Sequence, residues 1–266
     1  MSKHRYSLEP LAVLELGGAE LVRAAAETGY EFVSIIAHMP NSQLPLDPSV
    51  TDAVARREML GAMKETGVRV LNLECFNLVP DESPAGFARA LECGSELGAT
   101  TATAIVWENP DIDDALTKYR TLCDMAAEHG IRVNVEFFAT AKTLPTIVEV
   151  ADFIQRAQRK NVGIVLDALH LMRTSSGMAG LSGIDPTLIG SVQLSDGMLA
   201  RPADPAAEML SRLLPGEGEF PLREIVEWCP DGLPLSLEAA NLSLASTVSA
   251  QDRARNMRKA AGAIFD

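Results

Sequence analysis

The residues best suited to chemistry in this chain stand at the ends of short apolar runs. Asn134-Val135-Glu136, Ser191-Val192-Gln193 and Ser236-Leu237-Glu238 share a polar–apolar–polar alternation, and Val162–Leu166 runs straight into Asp167. Strand side chains alternate in direction, so Asn134 and Glu136 share a face, as do Ser191 and Gln193, and Ser236 and Glu238. A buried carboxylate is costly unless paired or bound to a metal, and Asp167 has no evident role in folding. Glu136, Asp167 and Glu238, brought together with the Gln193 amide, would repel each other unless a cation lay between them. An all-oxygen set of this kind suits a divalent metal, Mg or Mn first and Co or Zn next, rather than a thiolate site.

Further residues stand where they could complete a pocket. His170 follows Asp167 by three residues, as a substrate contact or a loop-capping histidine. Arg201, eight residues after Gln193, is placed to hold a substrate carboxylate or phosphate, or to sit solvated on a loop. Asp196 is a candidate to orient a neighbouring ligand. His38 and Glu74 lie near the ends of two earlier strands, and Trp107-Glu108 could supply an apolar wall or simply pack. Gly216-Glu217-Gly218 precedes Pro221 rather than a glycine-rich helix start, which reads as a supporting loop and not a phosphate cradle.

These positions require a scaffold of repeated strands. The apolar patterning predicts strands over 11–16, 32–36, 68–73, 101–106, 132–137, 162–167, 189–194 and 235–238. Helices are expected at about 19–28, 49–66, 85–97, 112–128, 144–157, 206–213, 221–228 and 245–264, several closed by a glycine such as Gly29, Gly67, Gly98 or Gly130. About eight strand–helix units without a break in composition predict an α/β fold, a single (β/α)8 TIM barrel spanning residues 1–266 as one domain. The competing doubly wound sheet lacks a GxGxxG after its first strand. Active sites of such barrels lie at the carboxyl ends of the strands, where the acids stand.

Composition narrows the classes. Hydrophobic residues at 47% and charged residues at 22% describe a globular chain with a large core. The 23 Lys and Arg against 36 Asp and Glu leave a net charge of −13, which argues against a nucleic-acid partner. Four scattered cysteines without CxxC spacing read as free thiols of a reducing, cytoplasmic compartment. The opening MSKHRYSLEP lacks the apolar segment of a secretory signal, and no run is long enough for a membrane span.

Glu136, the Asp167-Ala-Leu-His170 segment, the SVQLSD run around Gln193, the LPGEGEF loop and Glu238 together resemble the xylose isomerase-like sugar phosphate isomerase/epimerase superfamily. The resemblance extends over essentially the whole chain. It implies a metal held by Glu136, Asp167, Gln193 and Glu238, a substrate that chelates the metal through a carbonyl and adjacent hydroxyl, and proton removal beside that carbonyl. Glu136 and Glu238 become the acid/base pair, with His170 on a substrate oxygen. Many members have His at the third ligand position. Gln193 instead resembles the branch of 3-dehydroshikimate dehydratases, so the resemblance implies an isomerase or epimerase of a small polyhydroxylated carbonyl compound, a dehydratase, or a metabolite-binding barrel without chemistry. It also implies a small-molecule partner and accommodates a homodimer. DNA-repair nucleases of the same superfamily rely on His-rich metal clusters, which four histidines do not supply.

Overall fold

The computed structural model describes residues 4–39, 44–107 and 109–266. Eight strands, β1 (Tyr6–Leu8), β2 (Phe32–Ile36), β3 (Arg69–Asn77), β4 (Thr101–Ile105), β5 (Arg132–Glu136), β6 (Val162–Asp167), β7 (Ile189–Leu194) and β8 (Leu235–Leu237), pair in parallel in sequence order and close into a barrel through β1 and β8. The helices are α1 (Gly18–Thr28), α2 (Pro48–Thr51), α3 (Ala53–Thr66), α4 (Ala85–Glu96), α5 (Ile112–Glu128), α6 (Ile147–Ala157), α7 (Ala168–Arg173), α8 (Pro205–Glu208), α9 (Leu222–Trp228) and α10 (Ala250–Phe265). The expected (β/α)8 architecture is the one observed.

Strand alternation divides the residues of the barrel by size and polarity. Leu8, Val33, Ile35, Leu73, Val133, Val135, Ile164, Leu166, Val192, Leu194, Leu235 and Leu237 join the apolar core between strands and helices. The alternate positions carry Ser7, Ser34, Asn72, Thr103, Asn134, Ser191 and Ser236, all buried. A barrel interior is ordinarily filled with bulky aliphatic side chains; here it is small and polar. Some of them are hydrogen-bonded, Asn72 Nδ2 donating to Thr103 Oγ1 at 2.9 Å and Ser34 Oγ to the buried Glu9 Oε1 at 2.8 Å.

The first strand departs from expectation. Residues 11–16 are not β1; Pro10 starts a 3-10 turn (Pro10–Ala12), and the strand lies earlier, at Tyr6–Leu8. Proline pre-sets the dihedral of a first helical residue and cannot donate to a strand ladder. The predicted helix over 49–66 divides at Asp52, whose extended backbone caps α3 through Val54 N–H. The predicted 206–213 helix shortens to α8, and α10 begins at Ala250, where Ser249 caps it, rather than at 245.

Candidate metal centre

The strand register brings the acids together. Asp167 pairs with Gln193, Gln193 with Ser236, Ile105 with Glu136, and Ile36 with Glu74, so all these residues stand at one end of the barrel. Glu136, Asp167 and His170 each offer a ligand atom within 4.8 Å of the others, all three side chains being buried. His170 Nε2 lies 3.9 Å from Glu136 Oε1. The structure therefore gathers His170 with Glu136 and Asp167 as the tightest group, with Gln193 and Glu238 alongside.

Asp167 has a clear part in folding, contrary to the reading of it from sequence. It is the N-cap of α7, its Oδ1 accepting the His170 N–H at 3.0 Å. Its Oδ2 accepts from Arg212 Nη1 at 2.7 Å, and the same nitrogen stands 3.0 Å from Glu238 Oε2. Arg212 is the residue that sequence reasoning missed. It lies on the irregular segment between β7 and α9, whose spacing gives no sign of which side chain turns inward. The cation inferred from the repulsion between the acids is thus partly supplied by the chain itself.

One guanidinium does not balance the site. Burial lifts Glu136 and Glu74 well above the usual carboxylate range, and neighbouring carboxylates add to the effect. Glu238 is pushed up to about 8 by burial, Arg212 countering in part. Glu9 is raised by burial, which the hydroxyls of Ser236, Ser34 and Ser7 moderate. Asp167 is the exception: burial opposes its ionisation, but Arg212, His170 and a backbone N–H hold it below its ordinary value. Burial lowers the His170 imidazole to about 4, so it is neutral and available as a ligand near neutral pH.

The donors fit a divalent ion. Gln193 Oε1 and His170 Nε2 are buried without a hydrogen-bond partner, which is costly unless something fills the gap. Gln193 Nε2 is occupied, donating to Glu74 Oε1 at 3.4 Å, which leaves its carbonyl oxygen as the free end. Carboxylate and amide oxygens with one imidazole suit Mg, Mn, Co or Zn, the nitrogen favouring the later metals.

The other candidates are distributed around this group. Glu74 accepts from Asn72 Nδ2 at 2.6 Å and Thr103 Oγ1 at 3.2 Å, tying the acids to the polar interior. Trp107 packs edge-on against Phe138 at 4.9 Å, and Phe138 lies 4.4 Å from His170, forming an aromatic row. Trp107 also borders a cavity of about 380 Å³ with Pro110, Thr140, Lys142 and Thr143; Glu108 lies outside the described residues. His38 instead stacks on Phe76 at 5.3 Å and has Nε2 3.4 Å from Glu82, so its side chain lies outside the Glu136–Asp167–His170 group. Arg201 is exposed and donates to Thr174 O at 2.9 Å, so the structure does not bring it into the group. Asp196 spends its carboxylate on the backbone N–H groups of Gly197, Gly216 and Phe220, which fixes the loop after β7.

Comparison with known proteins places the fold in a family. A family model described as a xylose isomerase-like TIM barrel matches residues 22–252. A 3-dehydroshikimate dehydratase of Pseudomonas aeruginosa is 29% identical over 130 residues, a stretch that is 46% of this chain and 20% of that protein. Among solved structures, an IolI protein with a bound zinc atom superposes with a TM-score of 0.82 at 18% identity, covering 98% of each chain. The 3-keto-D-glucoside 4-epimerase YcjR of E. coli gives 0.73 at 18% identity, over 98% of this chain and 99% of that one.

Proposed function

Since the chain belongs to the xylose isomerase-like TIM barrel family, we propose that it is a divalent-metal-dependent isomerase or epimerase of a small polyhydroxylated carbonyl compound. The observation that carries this reading is the pair of buried, unpartnered ligand atoms, Gln193 Oε1 and His170 Nε2, beside the acids Glu136 and Asp167. Glu136, Asp167, Gln193 and Glu238 would hold the ion, with His170 as a nitrogen donor within reach. Once bound, the ion supplies Lewis-acid polarisation of a substrate carbonyl.

The acid/base work falls to Glu136 and Glu238. Burial raises both above the ordinary glutamate range, Glu238 to about 8, which favours taking up a proton from the substrate. One removes the proton beside the carbonyl and the other returns it, to the opposite face or to the adjacent carbon. Arg212 engages Glu238 through Oε2, which leaves Oε1 to meet the substrate. Its positive charge also favours the oxyanion that develops as the proton leaves. Trp107, Phe138 and His170 form an apolar side of the mouth that would pack C–H faces and exclude water.

A dehydratase is the second reading, favoured by Gln193 and by the 3-dehydroshikimate dehydratase among the similar proteins. In it the same proton abstraction is followed by loss of a β-hydroxyl. Incubation of manganese-loaded protein with aldoses, ketoses and 3-dehydroshikimate in heavy water tests both. Deuterium entering a sugar next to its carbonyl, absent in Glu136→Gln and Glu238→Gln, is the expected result. Ultraviolet absorbance of an aromatic catechol acid from 3-dehydroshikimate would move the assignment to the lyase. Tight binding with neither reaction would leave a metabolite-binding barrel.

A further inference from the structure

Arg212 cannot easily leave the metal centre. Its backbone N–H donates to Ala240 O at 2.8 Å, and its Nε to Met209 O at 3.1 Å. The residues on either side are pinned as well, Leu213 bridging to Asp196 and Ser211 to Asn241. The side chain is buried, and one nitrogen, Nη1, serves both Asp167 Oδ2 and Glu238 Oε2. A cation held in place from four directions has two effects on the acids it touches. It fixes them in position when no other cation is present, and it remains beside any ion that later shares them.

We propose that Arg212 is a resident counter-cation: it positions Asp167 and Glu238 for ligation, and its fixed charge beside the ion keeps divalent binding weaker and more exchangeable than the acids alone would give. The inference rests on the metal reading above and adds to it a role for a residue outside the ligand set. Asp167 keeps its cap on α7 without Arg212, and the Glu238 main chain keeps its N–H to Leu194 O at 3.0 Å, while the Glu238 carboxylate rests on Arg212 Nη1. Removing the guanidinium frees the Glu238 carboxylate but leaves Asp167 capped, and on this proposal the repulsive charge it takes away outweighs the positioning it loses.

The two effects have opposite signs, which separates this role from ordinary structural support. EDTA-stripped wild type, Arg212→Met and Arg212→Lys are titrated with Mn2+ by calorimetry and melted without metal. The expected result for Arg212→Met is a lower Tm without metal together with Mn2+ binding about tenfold tighter or more. Arg212→Lys, which keeps the charge, should bind within about threefold of wild type. Unchanged or weaker binding in Arg212→Met overturns the proposal, and weaker binding with a lower Tm is what mere support would give. Should Arg212→Met fail to fold, manganese-loaded wild-type crystals decide: Nη1 still bonded to Asp167 supports the proposal, and a guanidinium swung out of the site overturns it. Wild type that binds no Mn2+ would defeat the metal reading itself, whereas binding without the tightening defeats this inference alone.

Discussion

Asp167 is both a helix cap and an ion-pair partner, so its carboxylate is held on two sides before any ligand arrives. Glu136 and Glu238 have no such role in a helix, and their elevated proton affinity arises from burial among like charges. For that reason Glu136→Gln and Glu238→Gln should each lower turnover by about 10²–10⁴-fold, the usual range for a lost general acid or base. Circular dichroism and Tm should stay close to wild type, because the amides keep shape and relieve repulsion. Retained turnover in both variants would contradict their roles. At this scale much of the site was legible in the sequence. Glu136, Asp167 and Gln193 sit on strands and Glu238 directly follows one, where a period of two fixes direction locally. Arg212 was not legible, because its direction is set by its contacts with Met209 and Ala240 and by the Ser211–Asn241 bridge beside it, which no local period encodes.

The strands hold their polar interior by leaving room for it. A Cβ on Gly190 would fall within 3 Å of the Asn134 amide group, and one on Gly163 would collide with the same amide and with the Arg132 guanidinium. Asn134 therefore occupies space that β6 and β7 surrender. Gly190→Ala should cost about 1–3 kcal/mol by urea unfolding, as overpacking does, and Asn134→Ala in the same background should recover part of the loss. Additive effects of the two changes would contradict direct packing. On the helical side, α6 opens with a capping box in which Thr146 Oγ1 accepts Glu149 N–H and the Glu149 side chain returns to Thr146. Thr146→Ala is expected to cost about 1 kcal/mol in the same assay. The sequence placed that helix three residues early, at Leu144, because apolar periodicity continues through the loop. Leu144 takes a positive φ of 58°, and the cap comes only at Thr146. The misplaced β1 has a similar cause: 11–16 is apolar enough for a strand, but Pro10 turns the chain and the strand before it is polar on its inner face.

Taken whole, the molecule is a barrel whose architecture follows from eightfold repetition, and this was the most legible feature of the chain. Among the described residues no helix is long and apolar enough to cross a membrane. The partly buried His38 and the buried His170 imidazoles are each lowered by desolvation from the ordinary 6.5 to about 4. The unfolded chain thus binds more protons than the folded one between these values, and stability is lost as pH falls from 6.5 toward 4. His38→Gln, outside the proposed ligand set, should flatten this acid limb in Tm measured against pH; an unchanged slope would contradict a neutral, desolvated imidazole there.

The proposed function requires a divalent ion among Glu136, Asp167, Gln193 and Glu238, with His170 at hand. Anomalous diffraction from a manganese-soaked crystal addresses it most directly. One strong peak within ligating distance of Glu136, Asp167 and the Gln193 amide oxygen is the expected result. Well-ordered side chains with no peak among them, or a peak elsewhere in the barrel, would contradict it.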